Sequence, residues 1–169
     1  MADVASLWPH EIILFLNEHT TMTLATTDTD GHPAAAALFY ALLDDMLIFL
    51  SEEETAHVQN LLRHPRVALT VHPDGQPWQE LRGLQARGIA FPLPEASWAR
   101  AWAVYEERFP FVKPARVAHN EGAVLAGPLA RARWYGVRPR WIRLIDNRRG
   151  FGWKAEWQRE EGGSWRRTR

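Results

Sequence analysis

The amino-acid sequence predicts a mainly antiparallel β fold with flanking helices, and three observations carry that prediction. Between Met22 and His72, three apolar strand-like runs, one short helix and a fourth strand follow one another with turn residues at the joints. Farther on, Trp78 to Phe91 reads as one long strand, with Gly83 and Gly88 marking places for a bulge or a close backbone approach, as strands that bend around a barrel require. Helical spacing of apolar residues is confined to three stretches, 8–19, 54–63 and 95–109.

A chain of 169 residues suits a single domain spanning 1–169, since a domain of ~150 residues already buries roughly 70% of its unfolded surface. Basic and acidic side chains number 20 each, so no global field draws in nucleic acid or an anionic membrane. The basic end, Trp165 to Arg169, reads as a solvated tail. With no Cys in the chain, disulfides, thiolate metal sites and a Cys nucleophile are excluded. The opening MADVASLWPHE lacks a basic start followed by an apolar core, and no apolar run approaches ~18 residues. A cytoplasmic location with no membrane partner is the expectation.

Taken in order, residues 8–19 place Trp8, Ile12, Phe15, Leu16 and His19 on one helical stripe, with Ser6 as N-cap and Pro9 in the first turn. A strand over 22–27 leads into Asp28-Thr-Asp-Gly31, turn chemistry that joins antiparallel strands. The second strand runs from His32 to Leu43 and carries four consecutive alanines, Ala34 to Ala37. Alanine favours helix, so its use here signals either close packing of neighbours or a shallow platform for a flat ligand. Asp44-Asp45 turns the chain into the strand Met46–Leu50.

Ser51-Glu-Glu-Glu-Thr-Ala then opens a helix with acids suited to its first turn and an inner face of Val58, Leu61 and Leu62. His64-Pro65 stops it, and Arg66 to His72 alternates as a fourth strand. After the long fifth strand, 95–109 puts Trp98, Trp102, Tyr105 and Phe109 on one core-facing helical side. Residues 110–128 hold no persistent period and read as a loop that could cover a site. The segment 131–169 reads as C-terminal strands: Arg133 to Asp146, interrupted at Pro139, then a hairpin of Trp153–Trp157 and Trp165–Arg169 over Glu-Gly-Gly.

No His-Glu-x-x-His or similar spacing supports a metal site, no Gly-x-Ser-x-Gly elbow supports a hydrolase, and the usual phosphate-binding glycine loops are absent. The junction from Ser51 to His57 does offer hydroxyls, an imidazole and free helix-start N–H groups able to hold a small anion.

The ordered set of the Asp-Gly hairpin, the apolar second and third strands, the helix ending in Arg-His-Pro-Arg-Val-Ala-Leu-Thr-Val and the later Gly-Leu-Gln-Ala-Arg-Gly resembles the FMN-binding split-barrel proteins related to pyridoxamine 5'-phosphate oxidase. The resemblance covers residues 12–91 and, more loosely, Trp134 to Trp157. It implies a six-stranded antiparallel split barrel, a homodimer with FMN in grooves between subunits, and flavin-mediated hydride or electron transfer to an unknown small-molecule substrate. Mapped residue by residue, the ring would lie along Ala36, Ala37, Leu38, Phe39 and Tyr40. The phosphate would sit at Leu50, Ser51, Thr55 and His57, with Arg82 and Gln85 reaching the cofactor, often across the dimer.

The tail WIRLIDNRRGFGWK resembles a subgroup whose aromatics close the ring pocket, which makes Trp78, Phe151, Trp153 and Lys154 the expected substrate-side residues. No catalytic acid or base is named; Tyr40, His57 and Lys154 are the candidate polar contacts. The alternative is a non-catalytic split-barrel module holding flavin, haem, a deazaflavin or another planar ligand, with His57 or His119 as axial ligand for haem.

Two departures from the family pattern bear on function. The family usually carries Lys or Arg where this chain has His57, which stands beside Glu52, Glu53 and Glu54. Each carboxylate within ~4 Å of a phosphate would cost from about 1 kcal/mol in water to about 4 kcal/mol at an effective dielectric of 20, so FMN affinity is lowered unless Arg63, Arg66, Arg82 or Arg87 compensates. True pyridoxamine phosphate oxidases also have Arg-x-His near the C-terminus, of which Arg143-Leu144-Ile145 keeps only the Arg. Oxidation of pyridoxamine phosphate is not expected.

Overall fold

The computed structural model describes residues 7–113 and 126–169. Its elements are α1 (His10–Glu18), β1 (Thr21–Thr27), β2 (Pro33–Phe39), β3 (Ala41–Leu43), β4 (Met46–Glu52), α2 (Ala56–Arg63), β5 (Arg66–Val71), β6 (Arg82–Pro92), α3 (Trp98–Arg108), α4 (Ala126–Arg131), β7 (Ala132–Asp146), β8 (Lys154–Arg159) and β9 (Trp165–Arg167). The strands pair in the order β2-β1-β5-β6-β7-β4-β3, and β8 and β9 extend from β7 as a hairpin. Every pairing is antiparallel. With β2 and β3 counted as one broken strand, six staves form a half-barrel, and this is the expected mainly β, split-barrel architecture.

Strand alternation sets the core. Met22, Leu24 and Thr26 of β1 point inward, as do Val67, Leu69 and Val71 of β5 and Leu84, Ala86 and Ala90 of β6. They meet Ile12, Phe15 and Leu16 of α1 and Val58 and Leu61 of α2. A second cluster under α3 joins Trp134, Tyr105 and Phe109 to Ile48 and Leu93. Trp102 and Tyr105 meet the Trp134 ring edge-on at 5.0 and 5.1 Å, so the aromatic stripe of α3 is core, as its spacing indicated.

Several expectations are corrected. The second strand does not run unbroken to Leu43: it breaks at Tyr40, after which Ala41–Leu43 leaves β1 and pairs with β4. The acids do not start α2. Glu52 is still on β4, Glu53 and Glu54 form the turn, and the helix begins at Ala56 with no acid in its first turn. Leu62 is 44% exposed, its inner place taken by buried Asn60, whose Nδ2 donates to Thr26 Oγ1 at 3.1 Å. Trp78–Glu80 is a short 3-10 turn, and the long strand starts at Arg82. The helix expected over 95–109 is α-helical only from Trp98. Pro9 stands at the N-cap position of α1 rather than inside its first turn, and Ser6 lies outside the described residues.

Pro139 does not interrupt β7, which stays strand from Ala132 to Asp146. It sits opposite Gly88 at a register shift next to Arg87, and a bulge is where a strand tolerates a residue without an N–H.

Tyr40 is fully buried and donates its hydroxyl to Leu16 O at 2.7 Å, which fixes the break between β2 and β3 beneath α1. Burial raises its phenol pKa. The hydroxyl is therefore a structural donor and not the ligand contact expected of it. Because Leu16 O also accepts from Arg108 Nη2 at 2.8 Å, Tyr40→Phe is expected to cost only about 1 kcal/mol. Urea denaturation would show that loss, and flavin titration would show no change in affinity.

Candidate functional site

At the end of β4 three side chains converge because they lie within seven residues of one strand-to-helix turn. Ser51 Oγ lies 2.8 Å from His57 Nε2 and 3.1 Å from Thr55 Oγ1, and Thr55 Oγ1 is 3.3 Å from the same imidazole nitrogen. Ser51 is held on β4 opposite Arg133. Thr55 occupies the N-cap of α2 without capping it, its hydroxyl donating instead to Glu52 O at 2.9 Å. First-turn N–H groups of a helix have no intrahelical acceptor, and here no side chain takes them.

The charge around this junction is less hostile to an anion than the sequence implied. Glu52 is paired to Arg131 at 2.8 Å, and Glu53 offers its carbonyl to Gln59 Nε2 at 2.8 Å while its side chain faces solvent. Burial pushes the His57 pKa below its ordinary 6.5, so the imidazole is neutral at pH 7. None of the four arginines named as compensators is bonded to the cluster: Arg63 ends α2, Arg82 pairs with Glu18 at 2.6 Å, Arg87 covers Trp141, and Arg66 stands exposed on β5.

Beside this turn lies β2, against which α2 packs. Its residues alternate: Ala36 and Leu38 are half-buried toward the barrel, and Ala35, Ala37 and Phe39 are exposed on the outside. The outer face continues across β1, β5, β6 and β7 in one register row, Ala37, Thr23, Thr70, Gln85 and Arg143. The next row is Ala35, Ala25, Ala68, Arg87 and Trp141. Two shallow grooves of about 550 and 410 Å³ run over it and share Ala25, Ala68, Arg87 and Trp141. β2 ends the sheet order, and its outward side chains are apolar, where solvent-facing edges normally carry charges or Pro at their centre.

The expected site residues therefore fall into separate groups. Ser51, Thr55 and His57 touch one another, with Leu50 just before them on β4. Arg82 and Gln85 lie on β6, Gln85 exposed on the outer face and 3.4 Å from Arg143 Nη1. Trp78 and Phe151 meet edge-on at 5.7 Å and are 64% and 83% exposed. Trp153 is partly buried against the core under Arg149, and Lys154 opens β8. Arg133 and Asp146 mark opposite ends of β7, roughly 40 Å of chain path at ~3.3 Å per residue, with the Ser51 turn at one end and the Trp78–Phe151 pair at the other. His119 and most of the 110–128 loop lie outside the described residues.

Sequence reasoning missed two devices. Asn147 ties the loop of Trp78 to that of Phe151: its N–H donates to Leu81 O at 2.9 Å, its Nδ2 to Trp78 O at 2.7 Å, and its Oδ1 accepts from Gly152 N at 3.0 Å. An Asp-Asn pair shortly before Gly-Phe-Gly was the available signal. Arg87 and Arg143 cover the Trp141 ring at 4.2 and 4.9 Å, while Arg143 is held by Glu156 at 2.9 Å. No local pattern announces that stack.

The comparisons with known proteins agree with this fold. Residues 9–142 match the family model described as "Pyridoxamine 5'-phosphate oxidase". A UPF0306 protein of Klebsiella pneumoniae is 32% identical, the alignment covering 75% of this chain and 78% of that protein. Among solved structures, a pyridoxamine 5'-phosphate oxidase-related, FMN binding protein from Nostoc punctiforme superposes with a TM-score of 0.69 at 14% identity, over 95% of this chain and 94% of that one. A heme binding protein from Mycobacterium smegmatis gives a TM-score of 0.68 at 18% identity, over 94% of this chain and 59% of the other. Fold, order of elements and family match together place this chain in the pyridoxamine 5'-phosphate oxidase family of split-barrel proteins, on the branch of the UPF0306 proteins rather than among the true pyridoxamine phosphate oxidases.

Proposed function

We propose that this chain is a homodimeric FMN-binding oxidoreductase acting on a small molecule. The observation that carries the reading is the donor set of Ser51, Thr55 and the uncapped N-terminus of α2, placed beside the alanine platform of β2. Those residues fit a phosphate: the Ser51 hydroxyl, free N–H groups and an imidazole able to take a proton, with Glu52 neutralised by Arg131 and the Thr55 hydroxyl turning to the anion from Glu52 O. Bound FMN would supply the hydride or electron transfer that no side chain in the described residues supplies. The chain's own part is to hold the phosphate at Ser51 and Thr55, lay the ring along β2 at Ala36–Phe39 and exclude water from it.

The same face suits dimerisation. An unpaired, apolar β2 edge and a sheet exterior of Ala and Thr present a surface that a second copy would cover. In that arrangement the partner subunit's Gln85 and Arg82 are the candidates to reach the cofactor. The placing of Trp78 and Phe151 at the other end of β7 from Ser51 suits the same arrangement, in which the two groups would meet at one site from different subunits.

The second reading, a binding module for haem, a deazaflavin or another planar ligand without turnover, draws on the fold shared with the heme binding protein of Mycobacterium smegmatis. For His57 to serve as an axial ligand, Nε2 would have to give up its contacts with Ser51 and Thr55, which favours FMN. The deciding measurement is the absorption and fluorescence of the purified protein titrated with FMN, run beside its mass in solution. Saturable quenching of flavin fluorescence by a dimer is the expected result, weakened about tenfold or more in Ser51→Ala/Thr55→Ala. A monomer with no spectral change would overturn the proposal.

A further inference from the structure

The larger of the two grooves on the outer face, about 550 Å³, is lined by three arginines, Arg66, Arg87 and Arg140, and by no Asp or Glu. In a chain whose 20 basic and 20 acidic side chains cancel, that is a local excess of charge. Among the described residues, no ion pair or hydrogen bond engages the guanidinium of Arg66 or Arg140, and Arg87 has only the Trp141 ring, with its Cζ 4.2 Å from the centroid. Acids on the surrounding elements are engaged elsewhere. Glu156 holds Arg143 at 2.9 Å, and Asp28 accepts from the N–H groups of Asp30 and His32. Asp45 and Glu160, which line a neighbouring cavity with Arg140, pair with Arg138 and Arg166 at 2.9 Å, and Glu161 in that cavity does not pair with Arg140.

The register shift between β6 and β7 serves this groove. On a regular strand Arg140 and Trp141 would point to opposite faces. Here the pairing runs from Arg87 with Trp141 to Gly88 with Pro139, which leaves Arg140 as the extra residue of the bulge, and Arg140 and Trp141 line the same groove. Re-aiming a side chain in this way is what bulges beside binding sites do. Arg87 stands directly opposite Ala68, and Arg66 lies two residues before Ala68 on the same face of β5. Three adjacent strands thus each supply one cation beside an apolar floor that includes Ala25, Ala68 and Pro33.

We propose that this groove is a second anion site, for a small organic phosphate monoester: the phosphate on Arg66, Arg87 and Arg140, the apolar body over Ala25, Ala68 and Pro33. A phosphate monoester carries about two charges near neutral pH and three acceptor oxygens, which suits guanidinium forks from three strands better than a single carboxylate does. The site goes beyond the flavin reading, since Ser51, Thr55 and His57 do not line it and it lies at the Pro33 end of β2, away from Phe39. Where a second copy covers the outer face it would close the groove into a pocket, and three cations enclosed there without an anion would be costly.

The probe is phenyl phosphate, titrated into the full chain by calorimetry and by the indole N–H resonance of Trp141, with phenol as the uncharged match. Saturable binding that shifts Trp141 is expected, about tenfold weaker in Arg140→Gln and in Arg66→Gln and absent with phenol. Both arginines are exposed, so both variants should fold. Arg63→Gln, which removes an exposed cation outside the groove, should leave the affinity unchanged, and the Trp141 shift should persist in saturating FMN. No Trp141 shift at millimolar probe, equal weakening by Arg63→Gln and Arg140→Gln, or loss of the shift on adding FMN would overturn the proposal. A flavin titration without spectral change beside an intact Trp141 shift would overturn the flavin reading alone.

Discussion

Gly88→Ala is expected to destabilise the fold by about 3 kcal/mol or more, and a larger side chain there to prevent folding. A Cβ on Gly88 would lie 2.3 Å from Arg138 O and 2.9 Å from Arg138 C and Pro139 Cα. All three are backbone atoms of the facing strand, so no rotamer change relieves the overlap. The position is the register shift between β6 and β7, the longest strand pair, and both strands contribute to the main core. Opening the bulge would therefore loosen the half-barrel as a whole. Gly83, on the same strand, supplies the control: its nearest neighbour would be His72 Cβ at 3.7 Å, an ordinary contact. Gly83→Ala should be neutral or slightly stabilising, through loss of chain freedom in the unfolded state. Urea denaturation of both variants tests the pair, and a Gly88→Ala protein as stable as wild type would show that the bulge can shift at little cost.

The same strand pair shows where sequence reading succeeds and where it stops. Gly83 and Gly88 were both legible as places for a bulge, but only the facing chain decides which one is used. Pro139 looked like an interruption because a strand residue without an N–H is normally one; its tolerance depends on the missing side chain of Gly88, about fifty residues earlier in the chain. Tyr40 is similar. The run from Pro33 to Leu43 carries no charged or turn-forming residue after its first position, so nothing local marks the break at Tyr40, whose hydroxyl bonds to Leu16 O. The Asp-Gly turn, by contrast, is self-contained: Asp28 Oδ1 accepts from Asp30 N and His32 N at 2.9 and 2.8 Å, and Gly31 takes the positive φ of 86°.

For the candidate site, the boundary falls in the same place. Ser51, Thr55 and His57 could be grouped from sequence because a strand-to-helix turn brings them together. The acids between them could not be read correctly, since carboxylates just before a helix and in its first turn look alike along the chain. The partner that neutralises Glu52, Arg131, enters from α4, far away in sequence. Trp78 and Phe151 were named for one role, yet nothing local shows that Asn147 holds them together, or that they stand at the far end of β7 from Ser51.

His57 should make flavin binding depend on pH in a direction set by its burial. Half-buried among Phe49, Ser51 and Thr55, and with Glu53 and Glu54 in the turn before its helix, the imidazole has its pKa lowered by desolvation. Its folded pKa is below the unfolded 6.5, so the folded protein binds fewer protons. The contribution to stability is complete above pH 6.5 and is lost as pH falls through the folded pKa. A phosphate at Ser51 and Thr55 reverses the balance, because an adjacent anion favours the imidazolium.

Wild type should therefore lose more stability than His57→Gln between pH 7.5 and 5.5 without ligand. Over the same interval the ratio of wild-type to His57→Gln affinity for FMN should rise about five- to tenfold, about 1 to 1.4 kcal/mol. Using the ratio removes the titration of the FMN phosphate itself, which is common to both proteins, and riboflavin, lacking the phosphate, should show no such rise. His57→Lys places a permanent cation where the imidazole is neutral. It should tighten FMN at pH 7.5 by about tenfold, a fraction of the ~4 kcal/mol that two charges 4 Å apart would gain at an effective dielectric of 20. Parallel pH profiles for wild type and His57→Gln, with no gain from His57→Lys, would place the phosphate elsewhere and remove His57 from the site.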